Sequence, residues 1–205
     1  MTVNENTTLY ANYIVEEVTK TWGKPVIYLY PTEETEISVK LVNSDRITTS
    51  YPKYPLDGWR VLARPDGTLT DLTTNRNLYC LYYEANADLD QSIYQDGFIV
   101  KGEEIAEFLE EKLAILGLNE REAEEFIVYW LPILEANKYN YIRFAEEQYI
   151  NENMPLEINP KPDTLIRVIM EFKGIEEPIE MKEQILTPKQ REGYTVVEWG
   201  GTEIM

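Results

Sequence analysis

The chain has 205 residues, 37 of them acidic and 19 basic, for a formal net charge of −18 at neutral pH. Such a charge repels phosphate backbones and anionic lipid surfaces, so nucleic acid and membranes are poor partners, while a basic protein or a cationic ligand is permitted. The sequence has no histidine and a single cysteine, Cys80. That removes Ser-His-Asp and Cys-His mechanisms, His-ligated zinc or haem, cysteine-cluster metal sites and intramolecular disulfides.

In chain order, residues 1–22 read as a variable segment with Leu9, Tyr13, Ile14 and Val18 near one helical face, which suits a short helix. The start lacks a basic stretch followed by a long apolar core, so the expectation is a cytoplasmic protein without a signal peptide. Val26 to Tyr30 is apolar without a break, the pattern of a strand covered on both faces. Pro31 ends it, and Tyr28, Tyr30 and Pro31 read as a central strand running to its end. Ile37, Val39 and Leu41 then alternate with Ser38 and Lys40, as in a half-buried strand. Ile47 to Tyr51 is a weaker strand signal. Trp59, Val61 and Ala63 form another alternation, followed by a turn at Pro65-Asp66-Gly67. Leu78 to Tyr83 reads as one unbroken strand, and Gly97 to Val100 as a short one.

The middle of the chain is helical. Ile105, Leu109 and Leu113 recur every fourth residue, Gly117 marks a left-handed stop, and Asn119 with Glu122 has the spacing of a capping box. A second helix turns Ala123, Phe126, Ile127 and Trp130 inward until Pro132 ends or kinks it. Its acidic outer face reads as a solvated face. Strand signals return at Tyr139 to Phe144, Leu156 to Ile158, Leu165 to Phe172 and Tyr194 to Trp199, with a doubtful one at Ile185 to Leu186. The order predicts an α+β fold: a mainly antiparallel β-sandwich-like or curled-sheet core with an inserted two-helix hairpin, residues 23–205 forming one domain with the insertion at about 103–136.

With histidine absent, carboxylates are the abundant catalytic candidates. Glu84 and Glu198 end strongly apolar strands, and together they would suit a glycosidase-type hydrolase if both pointed into one cleft. The competing expectation is that each pairs with an arginine, Arg143 or Arg167, because a buried carboxylate needs a cation or a proton. Tyr30, Trp59, Tyr82 and Trp199 are candidate ligand-binding aromatics, with Tyr28 and Tyr83 beside them, although core or rim packing explains most such residues. Asn86, Asp88 and Asp90 imitate a calcium loop, but Gln91 stands where glycine is needed and Gly97 where the closing glutamate belongs. No cofactor is expected, and calcium remains only a weak alternative.

The stretches KPVIYLYP (24–31), GWRVLARPDG (58–67), LYYE (81–84), YWLPIL (129–134), PDTLIRV (162–168) and GYTVVEWGG (193–201) resemble, in order, a family of uncharacterised microbial proteins. The resemblance implies one integrated domain over residues 24–201 and assigns no catalytic residue, substrate or cofactor. The expected function is a non-enzymatic binding or structural module with an acidic, aromatic-rich surface for a protein or glycan. The paired-carboxylate hydrolase is the alternative.

Overall fold

The computed structural model describes residues 21–86 and 96–204, without the side chains of Thr21 and Trp22. The helix expected before residue 20, and Asp88 and Asp90 of the calcium-like stretch, lie outside the described residues. The fold is α+β, with two mostly antiparallel sheets packed face to face. The strands are β1 (Thr21–Tyr30), β2 (Thr35–Leu41), β3 (Ile47–Tyr51), β4 (Trp59–Ala63), β5 (Leu69–Asp71), β6 (Asn77–Leu78), β7 (Leu81–Asn86) and β8 (Asp96–Lys101). Helices α1 (Ile105–Ile115) and α2 (Glu120–Leu134) follow, then β9 (Tyr139–Phe144), α3 (Glu147–Asn153), β10 (Leu156–Asn159), β11 (Thr164–Ile175), β12 (Lys182–Glu183) and β13 (Thr195–Glu203). Among the described residues, no helix is long and apolar enough to cross a membrane.

The larger sheet has eight strands in the order β12-β8-β9-β11-β13-β1-β7-β3, and the smaller has five in the order β10-β2-β4-β5-β6. Only β11 with β13 and β12 with β8 run parallel among these pairs. Strand alternation divides the larger sheet into two differently covered faces. Ile27, Leu29, Leu81, Tyr83, Ala85 and Val196 face the smaller sheet, whose β2 and β4 return Ile37, Val39, Leu41, Trp59 and Val61. Val26, Tyr28, Ile166, Val168, Met170, Val197 and Trp199 face the helical pair. The molecule is thus three layers: helices, large sheet, small sheet.

The helical hairpin follows its sequence signals closely. Ile105, Leu109 and Leu113 are fully buried, Gly117 has φ +91°, and Asn119 and Glu122 make a reciprocal capping box. Pro132 lies inside α2, which continues to Leu134. Elsewhere the expected elements are redrawn. The apolar run from Leu78 splits at Tyr79-Cys80: Leu78 pairs with Leu69 in the small sheet, whereas Leu81 pairs with Ile27 in the large one. Two-residue β12 stands at Lys182–Glu183 in place of a strand at Ile185 to Leu186. α3 was not expected. β1 begins at Thr21, so the strand starts ahead of the expected boundary at residue 23.

β13 also runs on through Gly200 and Gly201, past the expected strand end at Trp199. Glycine is required there by close approach. A Cβ on Gly201 would stand 2.8 Å from Trp130 Cζ2 and 3.0 Å from the Met170 carbonyl oxygen, closer than side chains tolerate. On neighbouring β1, a Cβ on Gly23 would meet Trp130 Cη2 at 3.3 Å. The bare backbones form a flat seat for the indole, which docks α2 on the sheet. Gly201→Ala should therefore destabilise the protein by about 1–3 kcal/mol through overpacking. Urea denaturation measures this, and the loss should shrink in a Trp130→Leu background because the two changes share one contact.

Candidate functional site

The structure separates the two glutamates singled out from sequence. Glu198 lies on the β13 face turned to the small sheet, fully buried. It accepts from the Tyr83 hydroxyl at 2.7 Å and pairs at 2.5 Å with Arg167 Nε, which stands directly opposite it across the parallel β11–β13 register. Arg167 also donates to Asn151 Oδ1 at 2.9 Å and to the Met154 carbonyl at 2.7 Å, anchoring α3. Glu84 lies on the other face of the sheet, the helix side, beside Tyr82. Because Tyr83 and Glu84 are adjacent on β7, alternation turns them to opposite faces. No single cleft contains both carboxylates, and the paired-carboxylate arrangement does not form. The arginine expectation holds for Glu198 with Arg167, whereas Arg143 instead contacts Glu171, Asp96 and Glu146.

The aromatic candidates also divide. Trp59 is 1% exposed, donates from Nε1 to the Pro52 carbonyl at 2.9 Å and packs edge-on against Tyr54, so it belongs to the core rather than to a ligand surface. Tyr30 covers the Pro65-Gly67 turn, since a Cβ on Gly67 would fall 2.6 Å from its Cε1. Arg191 lies over the Tyr30 ring at 5.6 Å, and its hydroxyl is hydrogen-bonded to buried Glu122. Tyr30 is thereby committed to packing. Tyr82 and Trp199, by contrast, meet at a cleft. Trp199 contributes only an edge, being 1% exposed.

That cleft encloses about 980 Å³ and lies between α2 and strand β7. From the sheet side it is lined by Lys24, Val26, Tyr51, Asn77, Leu78, Tyr79, Cys80, Tyr82, Glu84 and Trp199. α2 supplies Arg121, Glu124, Glu125, Val128 and Tyr129. Their spacing, i, i+3, i+4, i+7, i+8, is one stripe of a helix. The stripe adjoins the buried one of Phe126 and Trp130, so part of the helix face expected to be solvated is a cleft wall. Glu125 is fixed there by the Tyr28 hydroxyl at 2.6 Å and by Arg121 Nε at 3.0 Å, and Arg121 stacks on the Tyr79 ring at 4.8 Å.

Lys24 enters the cleft through a backbone irregularity. The register of β1 shifts between Gly23 and Val26 against β13, and between Trp22 and Val26 against β7. Lys24 has φ 52°, although a residue before proline is ordinarily extended. Bulges of this kind re-aim a side chain, and here the Lys24 ammonium sits 4.2 Å from the centroid of the Tyr129 ring.

Burial sets the protonation of the cleft. It pushes the Cys80 thiol up to about 12, with the Glu125 charge adding to the rise. It also raises Tyr82, whose hydroxyl is hydrogen-bonded to Glu84, and Tyr129. These groups are neutral at pH 7. Among the described residues, no three Asp, Glu or Cys side chains gather in a way that would hold a metal ion.

No family model and no solved structure matches the chain. An "Uncharacterized protein in bglA 3'region" from Butyrivibrio fibrisolvens is 47% identical over 49 residues, which are 23% of this chain and 51% of that protein. The chain therefore spans about half the length of this relative.

Two measurements check these assignments. Arg167→Met leaves Glu198 buried without its cation and should cost about 3–5 kcal/mol in chemical denaturation. For Cys80, the unfolded thiol ionises near 9.0 and the folded one near 12. The unfolded state thus releases its proton first, so this contribution to stability is intact below pH 9.0 and lost as pH rises to about 12. Alkylation of Cys80 at pH 8 should correspondingly run more than about 100-fold slower in the folded protein than in urea.

Proposed function

We propose that the chain is a non-enzymatic binding module and that the cleft between α2 and β7 takes a glycan. The observation that carries this reading is the composition of the cleft: tyrosine rings stand beside charged and amide side chains in an open space of about 980 Å³. That volume suits a ligand of a few sugar rings, given that small-molecule pockets occupy about 300–1,000 Å³. A saccharide offers flat C–H faces, which lie on aromatic rings, and hydroxyls, which need donors and acceptors close together. Tyr79 and Tyr51, 47% and 51% exposed, offer ring faces at the mouth. Glu84 and Asn77 accept hydrogen bonds, and Lys24 and Arg121 donate them. The three tryptophan side chains described, Trp59, Trp130 and Trp199, are all buried, so tyrosine is the platform.

The protonation pattern favours holding a ligand over transforming one. General acid–base work at neutral pH uses a group titrating near neutrality. The cleft's thiol and the phenols of Tyr82 and Tyr129 are displaced the other way. The stretches KPVIYLYP, LYYE, YWLPIL and GYTVVEWGG supply Lys24, Tyr82 with Glu84, Tyr129 and Trp199 to the cleft. The resembled family would then share this site.

A thermal-shift screen of oligosaccharides, followed by calorimetric titration of those that raise the melting temperature, tests the reading. At least one saccharide should bind, and Tyr79→Ala should weaken it about tenfold, the worth of one stacked ring. Tyr79 is 47% exposed, so this variant keeps its fold. If no saccharide raises the melting temperature, or if Tyr79→Ala binds unchanged, the cleft is not a glycan site.

A further inference from the structure

Lys24 adds a requirement that a neutral sugar leaves unexplained. Its backbone is left-handed at φ 52°, which for a residue with a Cβ costs about 1 kcal/mol relative to glycine. Glycine would form the same bulge without that cost. The position therefore supplies a side chain rather than a backbone shape, and strain retained at a cleft points to a use for it.

The charges around it sharpen the point. Glu125 is held by Tyr28 and Arg121, and Glu84 is hydrogen-bonded by Tyr82. Glu124 lines the cleft from α2 and is exposed to solvent. Lys24 is half-buried with its ammonium over the Tyr129 ring, and no carboxylate pairs with it among the described residues. Among the described residues, a half-buried lysine thus has no counter-ion in the cavity, while the carboxylates described near it are engaged or solvated.

We infer that Lys24 is a specificity-determining residue that receives a carboxylate of the ligand, so the cleft selects acidic saccharides, those carrying uronic acid units, over neutral ones. This rests on the glycan reading of the same cleft. The net charge of −18 opposes it chiefly through the carboxylates that line the cleft itself, Glu84, Glu124 and Glu125. Repulsion from surface carboxylates is screened beyond about 8 Å at physiological salt, whereas an ammonium–carboxylate hydrogen bond acts within about 3 Å and is roughly twice as strong as a neutral one.

The test compares tetramers of galacturonate, glucuronate and mannuronate with their methyl esters, which keep the ring and remove the charge. Calorimetric titration is run on the wild-type chain and on Lys24→Gln and Lys24→Gly. The wild type should bind at least one acid about tenfold more tightly than its ester, the effect of one charge-assisted contact. Both variants should lose that preference, binding acid and ester within about twofold of each other. Lys24→Gly relieves the left-handed strain, so its melting temperature should not fall, which separates lost recognition from lost folding. Equal binding of acid and ester by the wild type, or a preference that survives in Lys24→Gln, overturns the inference while the glycan reading stands. If neither acids nor esters nor neutral saccharides bind, both fall together.

Discussion

The molecule is organised by the burial of β13. This strand is covered by the helical pair on one face and by the small sheet with α3 on the other, and it is paired on both edges by β11 and β1. Eight of its nine residues are buried. A glutamate in such a strand has nowhere to keep its charge except against a cation, and the parallel register places Arg167 directly opposite. The pair is weak evidence for stability, because desolvating two charges offsets most of their attraction. Its physical consequence is register. A one-residue slip would turn Glu198 to the helix side, where Phe126, Trp130 and Phe172 stand, and would set Trp199 among the residues facing the small sheet.

The same strand also explains why the cleft opens where it does. Eight strands spaced at about 4.8 Å span roughly 34 Å, whereas two helices about 10 Å wide cover only about 20 Å. The helical layer therefore cannot cover the whole sheet. Trp130 seats α2 over Gly201 and Gly23, near the sheet centre, and the uncovered strip falls beyond it, over β1 and β7. Residues there must be compatible with both a core edge and water, a demand that tyrosine meets through an apolar ring and a polar tip. Tyr79, Tyr82 and Tyr129 occupy that strip.

Elements with a clean period were readable directly. The alternation of Ile37, Val39 and Leu41, the four-residue steps of Ile105, Leu109 and Leu113, and the Asn119–Glu122 cap each state their geometry in local spacing. What was not readable depends on partners distant in sequence. Leu78 and Leu81 look like one strand because both are apolar, and only their partners, Leu69 and Ile27, assign them to different sheets. Gly200-Gly201 looks like a terminator until Trp130 requires a surface without side chains. The small sheet's share of the core made Trp59 structural, although its alternation was correctly read. For the site, Tyr82, Glu84 and Trp199 were named and are at the cleft, but Glu84 had been matched with the wrong partner. Neighbouring positions on β7 face opposite ways, and the sequence does not say which face of β13 is shared with which face of β7. The stripe Arg121, Glu125, Val128, Tyr129 carried a usable signal: a helix face holding both an apolar residue and an aromatic among its charges is not a purely solvated one.

Two independent facts keep imidazole, thiol and phenol titration out of this cleft across the neutral range. Histidine, the side chain whose ordinary pKa lies near neutrality, is absent from the whole sequence. The thiol of Cys80 and the phenols of Tyr28, Tyr82 and Tyr129 are driven by burial away from neutrality, where each keeps its proton. A Cys80 thiol at about 12 is also a poor nucleophile, because the thiolate is the reactive form. In the proposed glycan site, selection would rest on ring faces and hydroxyl donors, with Lys24 supplying a cation directed by the backbone bulge. The bulge that directs Lys24 inward lies next to Gly23, one of the glycines that seat Trp130. The contact that docks α2 and the irregularity that arms the cleft therefore occupy adjacent residues of one strand, so the wall and the charge it faces are positioned together.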